Sequence, residues 1–170
     1  MQHFYSSLVV CMLLAANLPI LAENAQNGFQ VSAGTVGKCT ITTEAIAFGT
    51  LPTPIVNPND ALRYGNVHAL CSLATKYRVA LDLGKGDGAT CATRKMKNND
   101  GVSVGTIDYN IYLLGSGQPV FGDGVLCGQD SGELTGTGAF QAIEYVSKIM
   151  TPQNPGAGSF SDLVTATITF

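Results

Sequence analysis

The chain has 170 residues and a formal net charge of −3, and only 12 % of its residues are charged, about half the usual share. Its 12 acidic and 9 basic residues include no basic run that would suit a phosphate backbone or an anionic membrane surface. The 20 glycines and the abundant threonines are typical of an all-β protein. Composition therefore argues against a nucleic-acid-binding, helical or disordered chain.

Residues 1–22 have the organisation of a secretory signal peptide. Their apolar stretch is too short to span a bilayer, is interrupted by Asn17 and Pro19, and is followed by the small residue Ala22. The N-terminal amine is the only positive charge, and Ile20 stands where a small residue is preferred, so an uncleaved anchor is the alternative. We expect cleavage after Ala22, which would export a mature chain of 148 residues, the size of one domain.

Four cysteines remain after such cleavage: Cys39, Cys71, Cys91 and Cys127. An even number of cysteines in an oxidising compartment indicates two disulfides, and four cysteines allow three connectivities. We favour Cys39 with Cys71 and Cys91 with Cys127, because sequential pairing closes moderate loops in a β-meander. A metal site is disfavoured, since the chain has no Cys-x-x-Cys and His68 is the only histidine of the mature part.

Short alternating runs separated by Gly, Pro, Asn and Asp predict a β-sandwich. The predicted strands cover 39–48, 67–71, 77–83, 107–114, 140–150 and 162–170. A stiff, exposed connection is predicted at 51–60, which holds three prolines, and a turn at 84–88. The run at 139–149 also fits a helix, but its β-branched residues favour a strand.

The two ends of the mature chain carry matching signals. Near the C-terminus, four apolar residues alternate with polar ones: Val164, Ala166, Ile168 and Phe170. A second alternating run precedes the first mature cysteine: Phe29, Val31, Ala33 and Thr35. We expect an open strand edge at one end and a loose strand at the other, which suits head-to-tail assembly. The alternative is that 29–35 pairs within its own chain as a first strand.

Catalysis has little support in the sequence, which contains no paired-carboxylate spacing, nucleophile elbow or phosphate-binding loop. His68 lies in an apolar run, where packing is its expected role. The aspartates of the predicted turns, Asp87, Asp100, Asp123 and Asp130, are explained as turn residues. Tyr109, Tyr112 and Tyr145 are expected in the core, with carbohydrate stacking by an exposed tyrosine as the alternative. We expect neither enzymatic activity nor a cofactor or metal.

Several short motifs follow one another in a characteristic order. They are Cys39 with Phe48-Gly49, Cys71 at a strand end, Arg94-Lys95-Met96, Tyr109-Asn110-Ile111-Tyr112, Phe121-Gly122-Asp123-Gly124, Gly136-Thr137-Gly138, and Gly158 to Asp162 before the run at 165–170. With these motifs the mature chain resembles the spore coat protein U-like domain, the fold of pilin subunits in archaic chaperone/usher pili. It departs from that pattern at Phe121, where Trp is common, at Phe160, where Tyr is common, and at Ser147, where Gly is common.

The resemblance implies an immunoglobulin-like β-sandwich that lacks its last strand. In such pilins a groove lies beside the C-terminal strand, here with Val164, Ala166, Ile168 and Phe170 on its edge. A periplasmic chaperone fills the groove first, and an outer-membrane usher then exchanges it for the N-terminal extension of the next subunit. That extension would be 23–37, with Phe29, Val31, Ala33 and Thr35 as the donor residues, and 38–170 would be the pilin domain.

The function implied is that of a structural subunit of a surface pilus that supports adhesion or biofilm formation. Its partners would be the chaperone, the usher and neighbouring pilins, with no nucleic acid and no membrane insertion of the mature chain. The alternative is a self-contained secreted β-sandwich, either a binding module or a structural protein of a spore or cell coat.

Overall fold

A computed structural model of the protein describes residues 30–59, 61–101 and 105–170. The predicted signal peptide at 1–22 and the predicted donor residue Phe29 lie outside these ranges. The chain divides into two compact units, residues 1–34 and 35–170. In the first unit, residues 30–34 are exposed and belong to no strand. The second unit contains all of the regular structure described below.

The described residues form β-strands and no helix, which confirms the all-β prediction. The strands are β1 Cys39–Thr43, β2 Leu62–Cys71, β3 Lys76–Leu81, β4 Arg94–Asn98, β5 Thr106–Leu113, β6 Leu134–Thr135, β7 Phe140–Ile149, β8 Phe160–Ser161 and β9 Ala166–Thr169. Six strands form one sheet in the order β1-β2-β7-β5-β4-β8, and three form a second in the order β6-β3-β9. All paired strands are antiparallel. This arrangement is consistent with an incomplete immunoglobulin-like sandwich.

Period-two alternation decides which side chains enter the core. On β3, Tyr77, Val79 and Leu81 are buried, while the alternate residues Lys76 and Arg78 are exposed. Strands β2, β5 and β7 supply the facing side chains, among them Val67, Ala69, Ile107, Tyr109, Ile111, Ile143, Tyr145 and Ile149. The sheets therefore bury one apolar face each, as the alternating runs predicted.

The structure corrects the predicted bounds of the first strand. β1 ends at Thr43, opposite Val67, and does not continue to Phe48. Beyond Thr43 the chain leaves the sheet, because Arg63 donates hydrogen bonds to the carbonyl oxygens of Ala47 and Phe48. Those carbonyls are thus bonded to a side chain instead of a neighbouring strand.

Two further predictions were wrong. The segment 51–60 is not uniformly exposed, because Ile55 is buried and pairs with Gln153 through two backbone hydrogen bonds of 2.7 and 3.0 Å. The last strand begins at Ala166 instead of Asp162, because residues 162–165 carry the chain from one sheet to the other.

Two disulfides, Cys39–Cys71 and Cys91–Cys127, are present in the structure, with the connectivity that the sequence favoured. The β-meander given as the reason is not present, since β2 lies between β1 and β7. Instead, Cys39 and Cys71 face each other directly on the adjacent strands β1 and β2. The bond therefore ties the edge strand β1 to the middle of the larger sheet.

A buried arginine connects the two sheets. Arg94 on β4 is fully buried, and its guanidinium donates to the backbone oxygens of Asp82 and Phe121 at 2.7 Å each. It also donates to the side-chain oxygen of Asn110, which is itself buried. Ser147, where the family pattern has glycine, is buried beside this network and donates to the Asn110 carbonyl at 3.4 Å. The network satisfies polar groups that would otherwise be stranded in the core.

Replacing Arg94 by leucine should destabilise the protein strongly. The substitution leaves the carbonyl oxygens of Asp82 and Phe121 without the donor they have now, whereas the Asn110 side-chain oxygen keeps the amide of Ile111. Stranded buried partners typically cost about 3 kcal/mol or more. The measurement is urea unfolding of the disulfide-intact chain, with Lys97→Leu on the same strand as the exposed control. A loss no larger than that of the control would show that the network does not hold the sheets together.

Candidate functional site

The candidate site lies where both sheets end on the same side. Within the described part of residues 35–170, β9 is hydrogen bonded only to β3, from Arg78 opposite Thr169 to Leu81 opposite Ala166. β1 is likewise paired only with β2 in that part of the chain. Cα atoms of β1 and β9 approach each other to within 8 Å, yet no ladder joins the two strands. The backbone groups on these two edges are therefore open to an added strand.

A cavity of about 440 Å³ opens between the two edges. One side, which we call the β1 rim, is residues 43–46 with Phe48, and the other, the C-terminal rim, is residues 160–164 with Ala166. The floor between them is made of core side chains: Val67, Leu81, Met96, Tyr109, Ile111 and Tyr145. We call this whole cavity the cleft. Its floor belongs to the core, and of these six side chains only Met96 is partly exposed, so the cleft reaches down to the core without laying it bare.

A second cavity of about 620 Å³ continues the cleft. The two share four lining residues: Ile46, Phe48, Met96 and Phe160. The second cavity runs on between residues 46–55 and 155–160, over Ile107 and Ile149. Two connected cavities lined largely by apolar residues can hold several side chains of an extended segment.

The predicted edge residues differ in their placement. Val164 and Ala166 line the cleft, and Ile168 is partly buried against the core without lining it. Phe170 follows the end of β9 and is 60 % exposed. The alternation of the C-terminal run is thus present, but only its first half faces the cleft.

Three of the four predicted donor residues fall within the described ranges. Val31 is 81 % exposed, and Ala33 and Thr35 are also exposed. None of the three belongs to a strand. Their proposed role in a neighbouring molecule is taken up below.

Sequence reasoning missed the contribution of the β1 rim and of two polar residues of the cleft, Asp162 and Glu44. The alternation of Ile46 with Phe48 was the available signal, but it was assigned to a continuous strand.

Burial, and to a smaller extent the charge of Glu44, raises the pKa of Tyr145 on the floor, so its hydroxyl stays protonated.

Asp82 fixes the beginning of the C-terminal strand. Its carboxylate accepts hydrogen bonds from the amides of Thr165 at 2.8 Å and Gly84 at 2.9 Å, and its own amide donates to the Thr165 carbonyl at 3.0 Å. Burial raises the pKa of Asp82, but the hydrogen bonds from Thr165 and Gly84 outweigh it, and the net pKa is lowered. The carboxylate is thus the form that stabilises this corner.

Because the folded-state pKa of Asp82 is depressed, its contribution is complete at neutral pH and is lost as the pH falls through that pKa. Asp82→Asn should therefore lower stability at pH 7 and reduce the loss of stability on acidification. The measurement is the free energy of unfolding between pH 7 and pH 3, with Asp87→Asn, an exposed turn residue, as control. Parallel curves for Asp82→Asn and the wild type would contradict the assignment.

A metal site, a membrane-spanning helix or a catalytic histidine among the described residues would indicate another functional class. Those residues contain no cluster of three or more His, Cys, Asp or Glu side chains able to hold a metal ion. They also include no helix long and apolar enough to cross a membrane. His68 lies on β2 opposite Thr42 and Ala142, which fits a packing role.

The geometry thus describes a β-sandwich with an open strand edge beside an apolar cleft, which is the architecture of a pilin-like structural domain. The model of the Spore Coat Protein U domain matches residues 25–167, so the chain belongs to that family, a family of non-enzymatic structural domains. No curated protein matches the sequence.

The fold is also similar to a solved structure. The match is to the CsuC–CsuE chaperone–tip adhesion subunit pre-assembly complex from the archaic chaperone-usher Csu pili of Acinetobacter baumannii, with a TM-score of 0.57 and 22 % identity. The alignment covers 79 % of this chain and 40 % of that chain, so this protein spans less than half of its length. The fold of the domain thus resembles that of a Csu pilus subunit, and two disulfides, as found here, are typical of exported proteins.

Proposed function

We propose that this protein is a structural subunit of a surface pilus that assembles by donor-strand complementation. The observation that carries the proposal is the edge of β9 beside the apolar cleft, which has no partner strand within residues 30–59, 61–101 and 105–170. Residues 23–37 of one molecule would form the added strand on the next, with Phe29, Val31, Ala33 and Thr35 pointing into the cleft. A periplasmic chaperone would occupy the cleft before assembly, and an outer-membrane usher would direct the exchange.

The energetics favour such an added strand. Burying one Phe and one Val side chain contributes roughly 3 to 5 kcal/mol. The main-chain groups of β9 and β1 would gain partners, and each buried unpaired group avoided is worth about 1 to 3 kcal/mol. The added strand would therefore fill the cleft and pack against its floor of core side chains.

The product of this exchange is a filament. The donor segment lies before β1, and the acceptor edge lies on β9, so the two contact surfaces of one molecule are different. A contact between different surfaces is heterologous, and it produces an open chain unless the rotation happens to close. Adhesion or biofilm formation is the role we propose for the filament on the cell surface.

Deleting residues 23–37 from the mature chain should abolish polymerisation and leave the acceptor cleft able to bind a donor. The full mature chain should form a ladder of species on native gels and in size-exclusion chromatography, because each molecule carries both donor and acceptor. Monomeric, equally stable proteins with and without the segment would contradict the proposal and favour the self-contained binding module.

Alternation within the donor segment gives a sharper test. Phe29 should point into the neighbour and Gln30 away from it, because successive side chains of a strand face opposite sides. Phe29→Ala should weaken the filament contact by about 2 kcal/mol, roughly thirtyfold in dissociation, whereas Gln30→Ala should have little effect. Filament disassembly in denaturant measures both variants, and equal effects would rule out the proposed register.

A further inference from the structure

The C-terminal rim is held by one carboxylate at the point where the chain leaves the larger sheet. Asp162 follows β8 directly and precedes the crossing to β9. It accepts hydrogen bonds from the backbone amides of Lys85 at 2.6 Å and Leu163 at 2.8 Å. One carboxylate oxygen thus fixes the crossing segment to the connection between β3 and β4.

The other carboxylate oxygen of Asp162 reaches the floor of the cleft. It accepts a hydrogen bond of 2.7 Å from the hydroxyl of Tyr109 on β5. Tyr109 is only 4 % exposed, and both residues line the cleft. Burial, together with the hydrogen bond to Asp162, raises the pKa of Tyr109, so the hydroxyl remains a donor. The rim and the floor of the cleft are therefore joined directly.

The space around Asp162 is closely fitted. Gly84 has a positive φ of 84°, and a Cβ at this position would collide with the Asp162 carboxylate. The neighbouring Asp82 holds Thr165 at the far end of the same crossing. Both ends of residues 162–165 are thus fixed by carboxylates before β9 begins.

We propose that Asp162 and Tyr109 are positioning residues that hold the C-terminal rim at the spacing that the incoming donor strand requires. This inference rests on the proposed function. Strand addition needs the edge of β9 aligned over several residues, because each ladder hydrogen bond depends on the position of the one before it. Without the bond between Asp162 and Tyr109, β9 would still pair with β3, but the C-terminal rim that leads into it would no longer be fixed across the cleft.

The test uses the full mature chain and an excess of a fluorescent peptide of residues 23–37, which competes with the chain's own donor segment for the cleft. Capture is measured as labelled species and as shortening of the ladder on native gels. Asp162→Ala should weaken peptide capture at least about tenfold, the effect of losing anchoring hydrogen bonds at the binding edge. Asp123→Ala is the matched control, because Asp123 also accepts three hydrogen bonds, from the amides of Val125, Leu126 and Cys127. It does not line the cleft, so its peptide capture should change less than about twofold.

Tyr109→Phe keeps the buried ring and removes only the hydroxyl. It should weaken capture about threefold, and the double variant should be no weaker than Asp162→Ala alone, because both act through one contact. Thermal unfolding of each variant separates this effect from a general loss of stability. If Asp162→Ala does not fold, the Tyr109→Phe result decides the question.

The possible outcomes distinguish the two proposals. If the wild-type chain neither forms the ladder nor captures the peptide, the proposed function fails, and this inference fails with it. If the wild type captures the peptide and the Asp162 and Tyr109 variants capture it equally well, only the positioning role is overturned. Equal weakening by Asp123→Ala would likewise overturn it, since a purely structural effect would then suffice.

Discussion

The structure depends on one constraint: β9 is hydrogen bonded to a single neighbour, β3, among the described residues of the second unit. An edge strand normally lies beside solvent or under a covering loop, but this edge lies beside a cleft whose floor is made of core side chains. Unpaired main-chain groups and an apolar cleft therefore occur at the same place. A single extended segment is the simplest structure that satisfies both needs, because it brings ladder hydrogen bonds and alternating side chains together.

The edge of β3 that faces away from β9 is covered. There the amide of Leu81 donates to the Gly122 carbonyl at 3.0 Å, and the amide of Ser131 donates to the Val79 carbonyl at 2.8 Å. β6 continues this cover along β3, and the Cys91–Cys127 disulfide ties part of it down. β3 is therefore bonded along both of its edges, whereas β9 has no second partner strand among the described residues.

Alternation in the sequence predicted the strands whose two faces differ most, such as β3 and β7, because burial of one face imposes a period of two. It did not predict β4. Arg94 is fully buried on that strand, although an arginine in a sequence is normally expected at the surface. Ile55 was missed because the prolines around it indicated a loop, although its side chain packs in the core. The cleft itself could be located only at its C-terminal edge. Its other rim and its floor come from segments far apart in the chain, and no local pattern records that they meet.

Asp82 links the interior to the site. Its carbonyl oxygen accepts from the buried guanidinium of Arg94, and its carboxylate accepts from the amide of Thr165 at the start of the C-terminal strand. The same residue thus belongs to the network that joins the two sheets and holds Thr165, which lies between the rim residues Val164 and Ala166. On the β1 rim, Arg63 donates to the Phe48 carbonyl, and the Cys39–Cys71 bond fixes the far end of β1 to β2. An open edge must be held in place without the contacts of a further strand, and here polar and covalent bonds add to the apolar packing of Phe48 and Val164 against the core.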